Sequence, residues 1–346
     1  MKKRVITGIL MASLLCSAAF SGVCFAQNDS GKAGVIREAQ KEKTPFEKYG
    51  ALQVKGSKLL AEDGSVCQLH GVSTHGIAWF PAYVNKSAFK NLRDQWNVDT
   101  IRLALYTAEY NGYCNSGAEN RTKQRKKVYA GIDVATDLSM YVIVDWHILS
   151  DGNPNQYVSR AKDFFGKVSK KYKNQENIIY EICNEPNGNV SWTQIKKYAK
   201  QVIPVIRKND PDAIIIVGTP TWSQEVDKAA ASPLKYDNLL YSLHFYAGTH
   251  KQELRDKMTK AIKKGLPIFV SEFSICDASG NGALNKTQGK KWMAALNKYG
   301  ISYVAWNLSN KNESSALIKA SCKKTKGWVR SDFSASGKWY MDQIKV

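Results

Sequence analysis

Two glutamates stand where apolar sequence gives way to polar sequence: Glu185 in IIYEICNEPNG (178–188) and Glu272 in PIFVSEFS (267–274). A carboxylate at the end of such a run is either a solvated loop residue or a reagent. Two that face one another can cleave an acetal, one protonating the leaving oxygen while the other attacks the anomeric carbon. A carboxyl separation of roughly 5–5.5 Å would make that reaction retaining. Further polar or aromatic residues end other apolar runs: His75, Arg102, His147, Asn184, His244, Tyr246 and Trp306. Arg102 and Tyr246 suit a role in keeping Glu272 ionised, and a Glu185 less exposed to cations would keep a raised pKa and donate.

Other chemistries fit less well. His75, His147 and His244 can be drawn as three metal ligands, but His70 and His75 are five apart and point to opposite faces of a regular strand, and no Asp or Cys completes the set. No metal or organic cofactor is expected. A Ser-His-Asp reading lacks the G-x-S-x-G elbow. The net charge of +20 permits attraction to anionic walls, membranes or nucleic acid, but its lysines (Lys170, Lys171, Lys173; Lys196, Lys197, Lys200) read as solvated helix faces and no nucleic-acid motif accompanies them.

Such residues need a scaffold that brings strand ends together. Eight nearly continuous apolar runs, 66–76, 100–107, 141–149, 178–186, 213–220, 239–247, 267–274 and 301–309, read as strands buried on both faces. Amphipathic stretches such as 85–96, 157–172 and 193–208 lie between them. The alternation predicts parallel strands with right-handed crossovers, and eight units without a glycine-rich phosphate loop predict a (β/α)8 TIM barrel in one domain. The polar exceptions then share the carboxyl-terminal rim, where barrels build active sites. ALQVKGSKLLAEDGSV (51–66) predicts a β-hairpin turning at Asp63-Gly64 and covering the barrel floor. Trp79, Trp222 and Trp306 fall beside strand ends and suit stacking on sugar C–H faces, whereas Trp96, Trp192 and Trp292 fall on helices and read as core.

The first 26 residues have a basic start, a short apolar centre and a small residue before a cut after Ala26, the pattern of a secretory signal peptide. Removing them leaves a net charge of +17, since Lys2, Lys3 and Arg4 lie there. Residues 27–44 read as a disordered polar leader, and 45–346 as the catalytic domain. No segment is apolar enough to span a bilayer, so a secreted, extracellular monomer is expected. Five cysteines remain beyond the cut, an odd number that leaves at least one without an intrachain partner; Cys183, inside a core strand, reads as a small buried hydrophobe.

Taken in order, STHGIAWF, DWHILSDGNPN, ICNEPNG, HFYAGTH, VSEF and AWNLSNKNESS resemble glycoside hydrolase family 5, in particular its bacterial subfamily 2 endo-1,4-β-glucanases, from about residue 45 to the carboxyl terminus. The resemblance implies retaining hydrolysis of β-1,4-glucan, a polysaccharide substrate, with Glu185 as acid/base and Glu272 as nucleophile. It places Arg102, His147, Asn184, His244 and Tyr246 around them, Asn184 on the sugar 2-hydroxyl. It assigns His75, Trp79, Tyr106, Trp222, Trp306, Lys311 and Glu313 to substrate binding. Cys183 departs from the family's usual Ala, Phe273-Ser274 from an aromatic followed by Gly, and the loop ICDASGNG (275–282) is unlike most, which leaves one end of the cleft open. Mannan, xyloglucan and mixed-linkage glucan remain alternative substrates, and a barrel that binds carbohydrate without catalysis is the alternative from another class.

Overall fold

The computed structural model describes residues 43–345 and one two-stranded antiparallel pair, Phe25–Ala26 (β1) with Gly34–Val35 (β2). The expected signal peptide and leader otherwise lie outside the described residues.

Residues 43–345 form the barrel. Its strands are His70–Thr74 (β5), Thr100–Tyr106 (β6), Tyr141–His147 (β7), Ile178–Glu181 (β8), Ile214–Val217 (β9), Leu239–Tyr246 (β10), Ile268–Ser274 (β11) and Tyr303–Leu308 (β12). They close in the order β5 to β12 with every pair parallel, as the eight apolar runs predict. Successive residues of β7 serve different cores: Tyr141 and Ile143 fill the barrel interior, while Val142 and Val144 pack with residues of the surrounding helices. That two-sided burial explains why the runs are continuous rather than alternating.

The helices are Pro45–Tyr49 (α1), Lys86–Trp96 (α2), Ala118–Asp137 (α3), Val158–Lys171 (α4), Trp192–Arg207 (α5), Pro220–Ser223 (α6), Val226–Ala231 (α7), Gln252–Lys263 (α8), Lys286–Tyr299 (α9) and Ala335–Gln343 (α10). Local chemistry sets their starts. The Asn85 side chain accepts from the Ala88 amide, and Ser191 and Gln194 form a reciprocal capping box.

The floor hairpin has two turns, the expected one at Asp63-Gly64 and an earlier one. Gln53–Lys55 (β3) pairs with Lys58–Leu60 (β4) around Gly56-Ser57, where Gly56 takes φ +58°, a region that favours glycine. Asp63-Gly64 turns the chain as expected, stitched by the Ser65 amide donating to Asp63 Oδ1 at 2.9 Å, and brings Val66 back antiparallel to Leu60. Leu52, Leu59 and Ala61 join the interior cluster of Tyr141, Ile143 and Phe269, so the hairpin plugs the barrel.

Candidate active site

Strand β8 stops at Glu181, earlier than the apolar run suggests, and Asn184 and Glu185 lie on the loop beyond it. Backbone bonds still tie that loop to both neighbours: the Ile182 amide donates to the Ile216 carbonyl at 3.0 Å, and the Asn184 amide to the Trp146 carbonyl at 3.1 Å. A β-carbon on Gly218 would collide with the Cys183 carbonyl and the Pro186 ring, so glycine permits this close approach. Cys183 is fully buried in the outer core, as expected, with its thiol pKa pushed up by burial. All five cysteines beyond residue 43 are free thiols.

Both oxygens of Glu272 are held. Arg102 Nη1 donates to Oε2 at 3.1 Å and the Tyr246 hydroxyl to Oε1 at 2.7 Å. Burial, with Glu272 and Glu185 nearby, pushes the Tyr246 phenol pKa well up, so it stays a donor. Arg102 is fully buried and does more than sequence suggests. Its guanidinium also donates to Glu181 Oε2 at 2.7 Å and to Asn184 Oδ1 at 2.6 Å, and lies 3.0 Å from Asp145 Oδ2. Burial weighs most on Asp145 and, with Glu181 and Glu272 beside it, drives its pKa well up against the pull of Arg102. Burial also opposes ionisation of Glu181, but Arg102 overcomes it and holds this carboxyl down at about 2.

Glu185 has a basic neighbour of its own in His244. His244 Nδ1 lies 2.8 Å from Glu185 Oε1. Burial alone would lower the His244 pKa, but the carboxylates of Glu181 and Glu185 outweigh it and raise the imidazole to about 9. Its other nitrogen reaches Ser271 Oγ at 2.9 Å, and Ser271 in turn donates to Glu181 at 2.7 Å. A hydrogen-bonded chain therefore runs from Glu185 through His244 and Ser271 to the partner of Arg102.

His147 has the opposite character. Burial and then Arg102 push it down to about 3, so the ring is neutral. Because Asn184 Oδ1 accepts from Arg102, its amide nitrogen faces His147 Nε2 at 3.3 Å as donor, which leaves the ring proton on Nδ1, 2.6 Å from Asp145. The Asn184 amide also donates to the Ile148 carbonyl at 3.0 Å.

A cavity of about 720 Å³ opens above this network. Glu185, Glu272, His147, His244 and Tyr246 line it, as do His75, Trp79, Tyr106, Trp222, Trp306, Lys311 and Glu313. Arg102 and Asn184 do not line it; they lie beneath and act through what they hold. His75 sits among the rings of Trp79, Phe80, Tyr106 and Trp306, and burial followed by Lys311 lowers its pKa to about 4. Lys311 and Glu313 pair at 2.6 Å beside it. Of the helical tryptophans, Trp192 and Trp292 are buried and Trp96 packs against the core.

The open end of the cleft now has an outline. Phe273 is buried against Phe245 and Tyr303, while Ala278, Ser279 and Gly280 line the cavity. Thr249 Oγ1 accepts from the Ala278 amide at 3.0 Å, and the Gly280 carbonyl from the Ser315 amide at 3.0 Å. Sequence reading also missed Asp145, Glu181, Glu109 and His250. For the first two the signal was present, since each is a charge inside a run buried on both faces.

Among the described residues, one set of side chains has metal-ligand proximity: Glu185, His244 and Glu272, whose nearest nitrogen and oxygen atoms lie within 4.8 Å of one another. His75 and His147 fall outside it. His75 Nδ1 accepts from the Gly76 amide at 2.7 Å, and His147 Nδ1 is engaged by Asp145. Both nitrogens of His244 are occupied too, which leaves two facing carboxyls as the unspent chemistry.

Two facing carboxyls on the carboxyl-terminal rim of a (β/α)8 barrel, beneath an aromatic-lined cleft, define a glycoside hydrolase. Residues 60–312 match the family model described as Cellulase (glycosyl hydrolase family 5), and the chain belongs to that family. It is 48% identical over 297 residues to endoglucanase A of Butyrivibrio fibrisolvens, covering 86% of this chain and 69% of that protein. It is 48% identical over 289 residues to an endoglucanase of Clostridium saccharobutylicum, covering 83% and 63%. The chain thus spans about two thirds of the length of these relatives. The catalytic domain of a Thermobifida fusca endoglucanase, solved with cellotetraose, superposes with a TM-score of 0.82 at 37% identity, covering 87% of this chain and 99% of that one.

Proposed function

We propose that this enzyme is a secreted, monomeric endo-1,4-β-glucanase that acts on internal bonds of cellulose and related β-glucans with retention of configuration. The observation that carries the mechanism is the asymmetry of the two carboxyls. Glu272 has both oxygens fixed by donors, whereas the Glu185 carboxyl, with an oxygen within 4.8 Å of it, has the imidazole of His244 as its hydrogen-bond partner among the described residues. Glu185 donates a proton to the glycosidic oxygen as the Glu272 carboxylate attacks the anomeric carbon, so the C–O bond breaks and a glycosyl ester forms. Glu185 then takes a proton from water, which attacks the same carbon and releases Glu272.

Arg102 and Tyr246 orient the nucleophile, His244 positions the acid/base, and Asn184, whose amide is engaged by Ile148 and His147 beneath the cavity, reaches the sugar 2-hydroxyl only by exchanging one of those bonds when substrate binds. His147 and Tyr106 shape the cleft above them. Trp79, Trp222 and Trp306 supply faces for pyranose stacking, with His75, Lys311 and Glu313 as polar partners. The names of the relatives and the cellotetraose in the Thermobifida fusca structure support β-1,4-glucan as substrate. Among the described residues no helix is long and apolar enough to cross a membrane. Rates on carboxymethylcellulose, mannan, xyloglucan and mixed-linkage glucan, measured side by side, test the substrate; a tenfold or greater preference for mannan, about 1.4 kcal/mol of discrimination, defeats it. A Glu272→Ala variant that kept the wild-type rate on carboxymethylcellulose would defeat the mechanism.

A further inference from the structure

Two fully buried hydroxyls, on Ser242 and Ser271, stand behind the reacting carboxyls with their oxygens 2.7 Å apart. The sheet is distorted to bring Ser271 there. Ser242 on β10 pairs with Phe269 on β11 and His244 with Glu272, so two steps along one strand match three along the other. Regular alternation would send Ser271 and Glu272 to opposite faces. The bulge turns both inward: Ser271 reaches His244 and Glu272 lines the cavity, while Val270 and Phe273 on either side pack in the outer core.

That placement fixes the protons. Glu181, where Arg102 outweighs the effect of burial, is held down at about 2 and can only accept. Ser271 spends its single hydrogen on Glu181 Oε1 at 2.7 Å. Its oxygen is then an acceptor for its other neighbours, the Ser242 hydroxyl and His244 Nε2 at 2.9 Å. Nε2 therefore keeps its proton in both charge states of the ring, and Nδ1, 2.8 Å from Glu185 Oε1, is the nitrogen that titrates. A contact of that length between a carboxyl and an imidazole nitrogen holds one proton, on Glu185 or on Nδ1. Without the Ser271 hydroxyl the neutral ring is free to carry its proton on Nδ1, donate to a Glu185 carboxylate and leave the acid without the proton it must give.

We propose that Ser271 is a positioning residue: anchored on Glu181, it locks the His244 tautomer, so that the Glu185–His244 contact stores the proton that Glu185 delivers to the glycosidic oxygen and regains from the attacking water. The inference rests on the reading of Glu185 as acid/base. The charges around the imidazole agree with it. Burial opposes a charged ring, but Glu181 from β8, Glu185 from the loop beyond it and Glu272 from β11 raise His244 to about 9, with Asp145 from β7 nearby and Arg102 from β6 behind Glu181.

The test is kcat/KM against pH for phenyl β-cellobioside, whose poor leaving group needs an acid, and for dinitrophenyl β-cellobioside, whose leaving group does not, in the wild type, Ser271→Ala and Ser271→Thr. Ser271→Ala should lower the phenyl value about tenfold more than the dinitrophenyl value and move the alkaline limb of the phenyl profile down by about one pH unit, since loss of a bond to the charged imidazole favours its neutral form. Ser271→Thr keeps the hydroxyl and should restore both. Equal losses on the two substrates with the limb unmoved, the outcome for a merely structural serine, would overturn the proposal and leave the glucanase reading intact. A wild type inactive on both substrates would overturn that reading and the proposal with it. Proton–nitrogen correlation spectra of the wild-type histidines, with His244 assigned from His244→Gln, read the tautomer directly even where Ser271→Ala does not fold. Above about pH 9 the neutral ring should carry its proton on Nε2, and a proton found on Nδ1 would overturn the proposal.

Discussion

Replacing Arg102 with lysine keeps the charge and removes the fork. The guanidinium touches Glu181, Glu272, Asn184 and Ser73 and lies 3.0 Å from Asp145, all from one fully buried position. A lysine ammonium has three donors at a single point and cannot reach acceptors arrayed around a plane. Losing the bond to Glu272 removes a charge-assisted contact worth about 1.5–3 kcal/mol, which corresponds to roughly 10- to 150-fold in kcat if the contact serves the transition state. Arg102→Met also strips the cation from three buried carboxyls, and breaking such a pair costs about 3–5 kcal/mol, or a melting temperature lower by very roughly 6–20 °C. Thermal unfolding followed by circular dichroism and kcat on an aryl cellobioside measure the two effects separately. Arg102→Met melting within about 2 °C of wild type with kcat within about threefold would refute this account of the network.

Tyr246→Phe removes the one donor to Glu272 Oε1 found among the described residues and should lower kcat by about 10-fold or more with little change in melting temperature, since Tyr246 is only partly buried. Ser223 Oγ donates to the Asn184 carbonyl at 2.7 Å, on the stretch that carries Glu185. Ser223→Ala should therefore reduce kcat by a few fold and be rescued by Thr; equal losses on both substitutions would contradict a positioning role. Stability should depend on pH on both sides of about 6.5. His244, raised to about 9, contributes stability that is full below 6.5 and lost as pH rises through about 9. His147 and His75, lowered to about 3 and 4, contribute stability present above 6.5 and lost as pH falls through those values; Glu181, held at about 2, adds to the acid loss below 4.5. His244→Gln should flatten the alkaline limb of a melting-temperature profile, and an unaltered limb would remove His244 from this account.

The barrel was legible because strands buried on both faces leave unbroken apolar runs and because polar or aromatic residues ended seven of the eight. Glu185 and Glu272 could be placed on that rim from their runs alone. The electrostatics below the rim were not legible, for a physical reason. Asp145 and Glu181 sit inside runs already assigned as strands, and which acids share Arg102 depends on register between neighbours: Arg102 pairs with Ile143, Asp145 with Glu181. Register also decides that His244 stands beside Glu272 in the sheet and still reaches Glu185, a pairing that the runs alone do not show. The turn at Asp63-Gly64 was legible, but the one at Gly56-Ser57 was missed because it is the weaker local signal, while burial of Leu59 and Ala61 fixed the pairing.

The division of labour between the carboxyls is tested most directly by trapping. Incubation with a 2-deoxy-2-fluoro cellobioside bearing a good leaving group, followed by peptide mass spectrometry, should find the added disaccharide on Glu272, with Glu185→Gln unable to release it at the wild-type rate. A label on Glu185, or turnover with inversion and no label, would contradict the account.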